Sequence, residues 1–283
     1  MPLLDQQFVS DMGRSSSLVL RYPSVFCAAN AQNIFLCEEN GSIVSALAAK
    51  HFGWTASGKA WRGVMIGAVY TDPHKRGQGF ASRLLHWASA ELKKQGADFG
   101  VLWTLQPEFY ARLGWVAADC GLLGKLDDAS DVSGSESVAT IPIAMADLQQ
   151  IEHIRRRWLS SMCVRSSGDY QQRPFPVETV DVILWQEGVE ATGYALVGGA
   201  DTQGIIYEMV GPTDCILPLM EQVRSKYRSV LINDSLSSNS HHRLAQYPGL
   251  VWADKSLAMW LPLSGAASIA EMSGWYIPYF DRI

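Results

Sequence analysis

The stretch that most restricts the fold runs from residue 69 to residue 82, where strand-like residues, a proline turn, two glycines and a helix start follow in order. The strand-like residues end at Thr71, and Pro73 turns the chain. After Gly79 the apolar residues recur with helical spacing, and Gly96 marks the end of the predicted helix. A strand that leads into a helix through a short glycine loop predicts a domain of mixed α/β class.

The loop between this strand and this helix has the composition of an anion site. Arg76, Gly79 and Ala81 fit the pattern R-x-x-G-x-A, and Gly77 adds a second residue without a bulky side chain. The first turn of a helix offers free backbone N–H groups and a favourable dipole, so it suits a pyrophosphate. A Walker loop would need Gly-Lys-Ser/Thr at the helix start, and a Rossmann loop would need three spaced glycines, and neither pattern is present. The loop therefore favours a phosphate-bearing ligand of another kind over a bare turn.

The chain divides in two at residues 127–137, which are rich in Asp, Ser and Gly and have no apolar periodicity. A length of 283 residues also suits two domains. We predict an N-terminal domain at 1–128, a linker at 129–136 and a C-terminal domain at 137–283. Residues 69–73 resemble residues 209–212, and residues 112–115 resemble residues 248–252 at nearly the same spacing. Matches in the same order favour two copies of one fold.

Apolar periodicity and turn residues predict the following elements in the first half: a helical region at 5–20, strands at 34–39, 43–51 and 63–71, a helix at 79–95, a strand at 100–105, a short helix at 107–113 and a strand at 115–118. In the second half they predict a strand at 139–144, a helix at 145–161, strands at 180–185, 193–197 and 204–210, a helix at 217–227, a strand at 229–233, a helix at 239–247 and a strand at 256–262. Asn40-Gly41 predicts a tight hairpin between the first two strands.

Residues 34–120 resemble the GCN5-related N-acetyltransferase (GNAT) superfamily, through the loop described above and through the later run Phe-Tyr-Ala-Arg-Leu-Gly-Trp at 109–115. The resemblance implies two GNAT-like domains, each a mixed and mostly antiparallel twisted sheet flanked by helices. It also implies an acetyltransferase that moves an acetyl group from acetyl-CoA (coenzyme A) to a primary amine by direct attack.

The resemblance assigns roles to individual residues. Tyr110 would lie at the coenzyme sulfur as the general acid, because a tyrosine stays protonated near neutral pH. The cofactor-binding residues would be those whose main chain holds the pantetheine arm, Val69, Tyr70 and Thr71, and those of the pyrophosphate loop, Arg76, Gly77, Gln78, Gly79, Phe80, Ala81 and Ser82.

The general base stays open at this stage. Neither 64–69 nor 100–105 contains a carboxylate, although members of the family often carry a Glu on one of these strands. Glu108, His51 and His74 are candidates, and so is direct loss of the proton to water. A further candidate is the carboxylate of Ile283, because the aromatic tail at 275–283 is expected to dock, and some enhanced-intracellular-survival-like acetyltransferases bring a terminal carboxylate to the active site. Simple packing of the tail is the favoured alternative for Ile283.

The second half is expected to be a degenerate copy. Its equivalent of the loop, at 209–215, lacks the R-x-x-G-x-A pattern, and Asp214 near the helix start would repel a phosphate. A second hypothesis, from a different class of function, is that the protein is a catalytically silent acyl-CoA-binding sensor or scaffold module.

Composition limits the partners. The net charge of −5 argues against nucleic acid as the main partner, and we expect a small-molecule or peptide amine as substrate and no membrane association. The five cysteines are odd in number and have no CxxC spacing, so neither a disulfide framework nor a metal site is expected. Reduced thiols and the absence of a secretion-like start favour a cytoplasmic location. Phe52, Trp54, Trp61 and Trp103 are candidates for an aromatic pocket, with core packing as the commoner role for such residues.

Overall fold

A computed structural model of the protein describes residues 1–127, 138–188, 190–255 and 257–283. It contains two sheets flanked by helices, and each sheet is mostly antiparallel with one parallel strand pair, so the predicted fold class is confirmed. The predicted linker at 129–136 lies outside the described residues. Within the described residues, no helix has the length and hydropathy needed to cross a membrane.

The strands are β1 Ile34–Glu39, β2 Ser42–Ala56, β3 Lys59–Thr71, β4 Phe99–Trp103, β5 Val116–Ala117, β6 Gly121–Leu126, β7 Val138–Pro142, β8 Ser161–Val164, β9 Asp181–Glu187, β10 Glu190–Ala200, β11 Gln203–Val210, β12 Ser229–Ser235, β13 Leu250–Asp254 and β14 Ala258–Pro262. The α-helices are α1 Pro2–Asp5, α2 Leu18–Arg21, α3 Phe80–Lys94, α4 Pro107–Ala111, α5 Leu148–Trp158, α6 Thr213–Lys226, α7 Asn239–Leu244 and α8 Ile269–Met272. A π-helical turn covers Gln6–Ser10, and 3₁₀ turns cover Ala28–Asn33, Pro73–Lys75, Ile143–Met145, Asp169–Gln171 and Tyr279–Asp281.

The N-terminal segment differs from the prediction of one helix at 5–20. The chain forms two short helices instead, because Gly13 takes a left-handed conformation with φ +65° between them. The Asp5 carboxylate accepts a hydrogen bond from the backbone N–H of Leu18 at 2.9 Å, which folds the second helix back onto the first. This segment packs over β2 and β3 through Leu4, Val9 and Leu18.

The first sheet has the order β1-β2-β3-β4-β14-β5, with β8 also paired to β2. The β1–β2 turn confirms the hairpin prediction, since Asn40 and Gly41 both have positive φ values of 51° and 77°. Helix α3 connects β3 to the parallel strand β4 and buries its apolar stripe on the sheet.

The second sheet has the order β13-β6-β12-β11-β10-β9-β7. Helix α6 connects β11 to the parallel strand β12, as α3 connects β3 to β4. The two halves therefore repeat the same strand, helix and parallel-strand unit.

The halves exchange strands: the first half gives β6 to the second sheet, and the second half gives β8 and β14 to the first sheet. β6 pairs with β12 and β13 in the second sheet, whereas β14 pairs with β4 and β5 in the first. The two strands hold equivalent places, next to the parallel strand of each sheet. The predicted boundary at residue 128 thus falls after a strand that belongs to the second sheet.

The aromatic tail is buried between the halves. Trp275 packs edge-on against Trp61, Phe99 and Trp260, with ring centroids 5.4, 5.1 and 6.0 Å away. Phe280 is fully buried in the core of the second half.

Candidate functional site

A notch opens between β3 and β4, the parallel pair of the first sheet. The two strands pair only at Gly63↔Phe99, Val64↔Gly100 and Met65↔Val101. Beyond Met65 the described part of β3 has no pairing with β4, so its backbone groups on that side face the notch. An extended ligand with amide groups could pair with them as an added strand would.

A β-bulge bends β3 at this point. Ala46 faces Tyr70 and Ala48 faces Gly67, so Ala68 and Val69 together oppose one residue of β2. Ala68 has φ +48°, and the extra residue turns the end of β3 away from β4. The bulge accounts for the notch.

The loop after β3 is shaped for an anion. Helix α3 begins at Phe80 with Gly79 as its N-cap, and no side chain caps it. Its first backbone hydrogen bond is donated by Arg83 to Gly79, so the N–H groups of Phe80, Ala81 and Ser82 have no partner among the described residues. These three N–H groups and the positive end of the helix dipole point to the same space.

The two glycines of the loop are required by backbone conformation. Gly77 and Gly79 both have φ +78°, in the left-handed region where other residues are strained. A Cβ added at Gly77 would meet nothing within 4 Å, and one at Gly79 would meet only Arg83 Nη1, at 3.4 Å. The space above the loop is therefore open to a ligand.

The basic residues of the loop differ in their partners. Lys75 Nζ lies 2.5 Å from Glu39 Oε2, and this hydrogen bond raises the pKa of the Lys75 ammonium. Arg76 Nε donates to the Thr71 carbonyl at 3.3 Å, and Arg83 Nη1 donates to the Gln78 carbonyl at 3.1 Å. Among the described residues neither arginine pairs with a carboxylate, so both can face a phosphate.

A groove of about 570 Å³ runs from this loop along α3 and α4 to the notch. A second cavity of about 280 Å³ lies under the N-terminal segment. Val69 and Tyr110 line both spaces, so the two meet at these residues. Of the predicted cofactor residues, Val69, Thr71, Arg76, Gly77, Gly79, Phe80, Ala81 and Ser82 line the groove. Tyr70 and Gln78 do not: the Tyr70 side chain is buried in the core, and the Gln78 amide contacts the His74 carbonyl at 3.4 Å.

Tyr110 is a partly buried phenol at the junction of the groove and the cavity. It lies on α4, and its ring packs edge-on against Phe109 at 4.9 Å and Trp115 at 6.4 Å. Burial raises its pKa to about 12. The hydroxyl therefore keeps its proton across the neutral range and can act as a donor.

The second cavity is mostly apolar and aromatic, with Phe8, Tyr22, Phe26, Trp103 and Phe175 among its walls. Trp103 is the member of the predicted aromatic set that lines it, whereas Phe52, Trp54 and Trp61 pack in the core around Phe99 and Trp275. Arg14 is its basic residue: Nη1 donates to the Phe8 carbonyl at 3.1 Å, and the guanidinium carbon lies 4.0 Å from the centroid of the Phe175 ring. Within the described ranges, Arg14 forms no ion pair with a carboxylate.

Ile283 reaches the wall of the same cavity. A Cβ added at Gly67 would lie 3.0 Å from the Ile283 backbone oxygen, so the end of the tail rests against β3 at the notch. The buried ion pair between Asp281 and Arg165, with 2.6 Å between Oδ1 and Nε, fixes the backbone two residues earlier. The approach of Ile283 depends on contacts that are distant in sequence, which is why the sequence alone favoured simple packing.

The other candidates for the base lie elsewhere. His51 Nε2 is 2.7 Å from Gln95 Oε1, and Glu108 and His74 are exposed. None of the three lines the groove or the second cavity. The structure therefore brings Tyr110 and Ile283 to the notch and leaves these three outside it.

The equivalent turn of the second half is crowded. A Cβ added at Gly211 would lie 2.5 Å from Cys215 Sγ and 2.8 Å from Gly193 Cα, in contrast to the open space at Gly77. Asp214 occupies the first turn of α6. This turn is more tightly packed than the loop at Gly77, and it carries an acidic residue where α6 begins.

Residues 25–118 match the model of the acetyltransferase (GNAT) domain family. No curated protein sequence matches the chain.

Solved structures of similar fold cover most of the chain. A GCN5-related N-acetyltransferase from Anabaena variabilis superposes with a TM-score of 0.73 at 16% identity, over 93% of this chain and 69% of that one. One from Kribbella flavida gives 0.62 at 17% identity, over 86% and 67%. A tandem GNAT protein from the clavulanic acid biosynthesis pathway gives 0.51 at 12% identity, over 81% and 82%. At these identities the likeness shows a shared fold.

Proposed function

We propose that residues 25–118, which match the acetyltransferase (GNAT) domain model, form an N-acetyltransferase that moves an acetyl group from acetyl-CoA to a primary amine. The observation that carries the proposal is the continuity of the open loop at Gly77–Ser82, the β3–β4 notch and Tyr110 along one groove. We also propose that the protein works in the cytoplasm, where its five free thiols would stay reduced.

The residues of the groove fit an acyl-CoA. The N–H groups of Phe80, Ala81 and Ser82, with Arg76 beside them, would hold the pyrophosphate. The unpaired backbone of β3 near Val69 would hold the pantetheine amides. Bound there, the coenzyme supplies an activated thioester.

The chain's own groups would then handle charge and protons. A free N–H of the bulged end of β3 would donate a hydrogen bond to the carbonyl oxygen as negative charge develops on it. Tyr110 would donate its proton to the leaving thiolate, and its elevated pKa keeps that proton in place beforehand. The phenol would be reprotonated from solvent through the open groove.

In a protein that ends at Ile283, we propose the terminal carboxylate as the group that takes the proton from the attacking ammonium. Ile283 lines the second cavity, and its backbone oxygen lies close to Gly67. Neither β3 nor β4 carries a carboxylate side chain, so no nearer acidic group competes for this role.

The second cavity, in which the acceptor amine would bind, favours an amine whose carbon skeleton is apolar or aromatic. Its walls are largely aromatic, and Arg14 offers a positive charge without a carboxylate partner, so an acceptor with an anionic group would gain an ion pair.

A silent acyl-CoA-binding sensor or scaffold remains the second candidate, because β3 and β4 lack an acidic side chain. The deciding experiment incubates the protein with acetyl-CoA and a panel of primary amines while free thiol is followed and products are identified by mass. We expect thiol release that depends on the amine and yields the N-acetyl product. Tight coenzyme binding with no amine-dependent release would instead make the protein a binding module.

A further inference from the structure

A second notch opens in the second half, between the parallel strands β11 and β12. Their pairing runs from Gln203↔Ser229 to Ile206↔Ile232 and then stops. A cavity of about 120 Å³ occupies the space beyond, between the ends of the two strands. The tail covers it, since Gly274, Tyr276 and Pro278 form one wall.

This cavity carries negative charge without a cation of its own. Its lining includes the carboxylates of Glu208 and Asp234 and contains no Lys, Arg or His among the described residues. The charge of the Glu208 carboxylate is balanced by two arginines outside the cavity lining, because Arg165 Nη1 lies 2.7 Å from Oε2 and Arg155 Nε lies 3.7 Å from Oε1. Asp234 lacks such a partner.

The contacts of Asp234 are all to neutral groups. Its Oδ1 accepts from the backbone N–H of Ser235 at 2.8 Å, and its Oδ2 accepts from the Ser240 hydroxyl at 2.6 Å. The side chain is nearly fully buried, and burial raises its pKa to about 6. A buried carboxylate without a cation is costly, so a cationic ligand would gain by pairing with it.

Two donors on the same walls also lack partners. The hydroxyl of Tyr276 and the indole N–H of Trp158 are buried and have no hydrogen-bond acceptor within the described part of the chain. Buried donors are seldom left unpaired, so these two call for acceptor oxygens on a ligand or a bound water. Serine hydroxyls such as Ser160, Ser237 and Ser238 add further polar contacts along the cavity.

The surroundings of the cavity favour a ligand other than an acyl-CoA. The crowded turn at Gly211 and the carboxylate of Asp214 disfavour a pyrophosphate beside the cavity. We propose that this cavity is a binding site for a small organic ammonium compound that carries hydroxyl oxygens, with Asp234 holding the ammonium and Tyr276 and Trp158 donating to the oxygens. The site is separate from the acyl-transfer groove and lies in the half that lacks an anion loop.

The test compares probes that differ only in the ammonium group. Glucosamine is paired with glucose, and ethanolamine with ethylene glycol, and binding is measured by ligand-observed NMR at pH 8 without acetyl-CoA. We expect each ammonium probe to bind the wild type at least about 10-fold more tightly than its neutral partner. We also expect Asp234→Asn, which keeps the side-chain shape, to remove that preference.

Asp201→Asn is the matched control, because Asp201 lies in an exposed turn with φ +53°, where Asn is well tolerated. It removes the same charge from the same half and should leave binding unchanged. Tyr276→Phe gives a second, milder variant and should weaken binding of the hydroxylated ammonium about 3-fold or more. Equal binding of charged and neutral probes, binding unchanged by Asp234→Asn, or binding by none of the probes would overturn the proposal.

Discussion

Gly79→Glu should abolish coenzyme binding while the fold survives. The left-handed backbone at φ +78° makes any side chain there cost about 1–2 kcal/mol of stability. The Cβ itself meets only Arg83 Nη1, at 3.4 Å, so crowding within the protein adds little. The carboxylate introduced at position 79 would lie beside the N–H groups of residues 80–82, where the phosphate of the coenzyme is expected. Two like charges about 4 Å apart, here the carboxylate and the phosphate, repel by about 4 kcal/mol near a protein surface. After screening by salt we expect an affinity loss of about 100-fold or more.

Gly58→Glu separates the site effect from backbone strain. Gly58 has φ +73°, and a Cβ there meets nothing within 4 Å. It precedes β3, so the 13 residues of that strand, about 40 Å, separate it from the loop. Urea unfolding should give similar stability losses for the two variants, and calorimetric titration with coenzyme A should show weakened binding for Gly79→Glu alone. Equal coenzyme affinity in the two variants would refute the assignment of the loop.

Tyr110→Phe should lower kcat about 100-fold with little change in the KM for acetyl-CoA, and an unchanged kcat would exclude Tyr110 as the general acid. Because the pKa of Tyr110 is about 12, the wild-type rate should show no loss from Tyr110 ionisation below about pH 10. In a protein that ends at Ile283, adding one glycine after it should lower kcat about 10-fold or more and shift the pH profile, whereas His51→Ala should change neither. The reverse result would assign the base to His51. Arg14→Gln should abolish the preference for phenylalanine over phenethylamine as acceptor in kcat/KM, and a preference that survives would exclude Arg14 as the anion contact. The pKa of Asp234 is about 6 in the folded protein and about 3.8 in the unfolded chain, so Asp234 loses its proton at a lower pH when the chain is unfolded. The free energy of unfolding of the wild type should therefore fall by up to about 3 kcal/mol as the pH rises from about 4 to above 6. The Asp234→Asn variant should not show this fall. If urea unfolding gives the same pH dependence of stability for the wild type and for Asp234→Asn, a buried and ionised Asp234 is contradicted.

Local signals in the sequence predicted much of the fold and the glycine loop that follows β3. The hairpin at Asn40-Gly41 and helix α3 were found because turn residues and an apolar stripe act over a few positions. The loop from Arg76 to Ser82 was found for the same reason, since its glycines are needed by the backbone itself.

Features that depend on distant partners were not predicted. Strands β6, β8 and β13 were missed, and the exchange of β6 and β14 between the sheets depends on pairing across the whole chain. Ile283 is positioned through the ion pair of Asp281 with Arg165, whose side chains are 116 positions apart. The single helix predicted at 5–20 was wrong because a left-handed turn at Gly13 outweighs the helical periodicity around it.

A crystal structure of the protein with acetyl-CoA would test the proposed acyl-transfer site most directly. We expect the pyrophosphate on the N–H groups of Phe80, Ala81 and Ser82, the pantetheine arm in the β3–β4 notch, and the sulfur within hydrogen-bonding reach of the Tyr110 hydroxyl. Coenzyme bound in the second half, or bound in the first half with its sulfur away from Tyr110, would contradict this expectation.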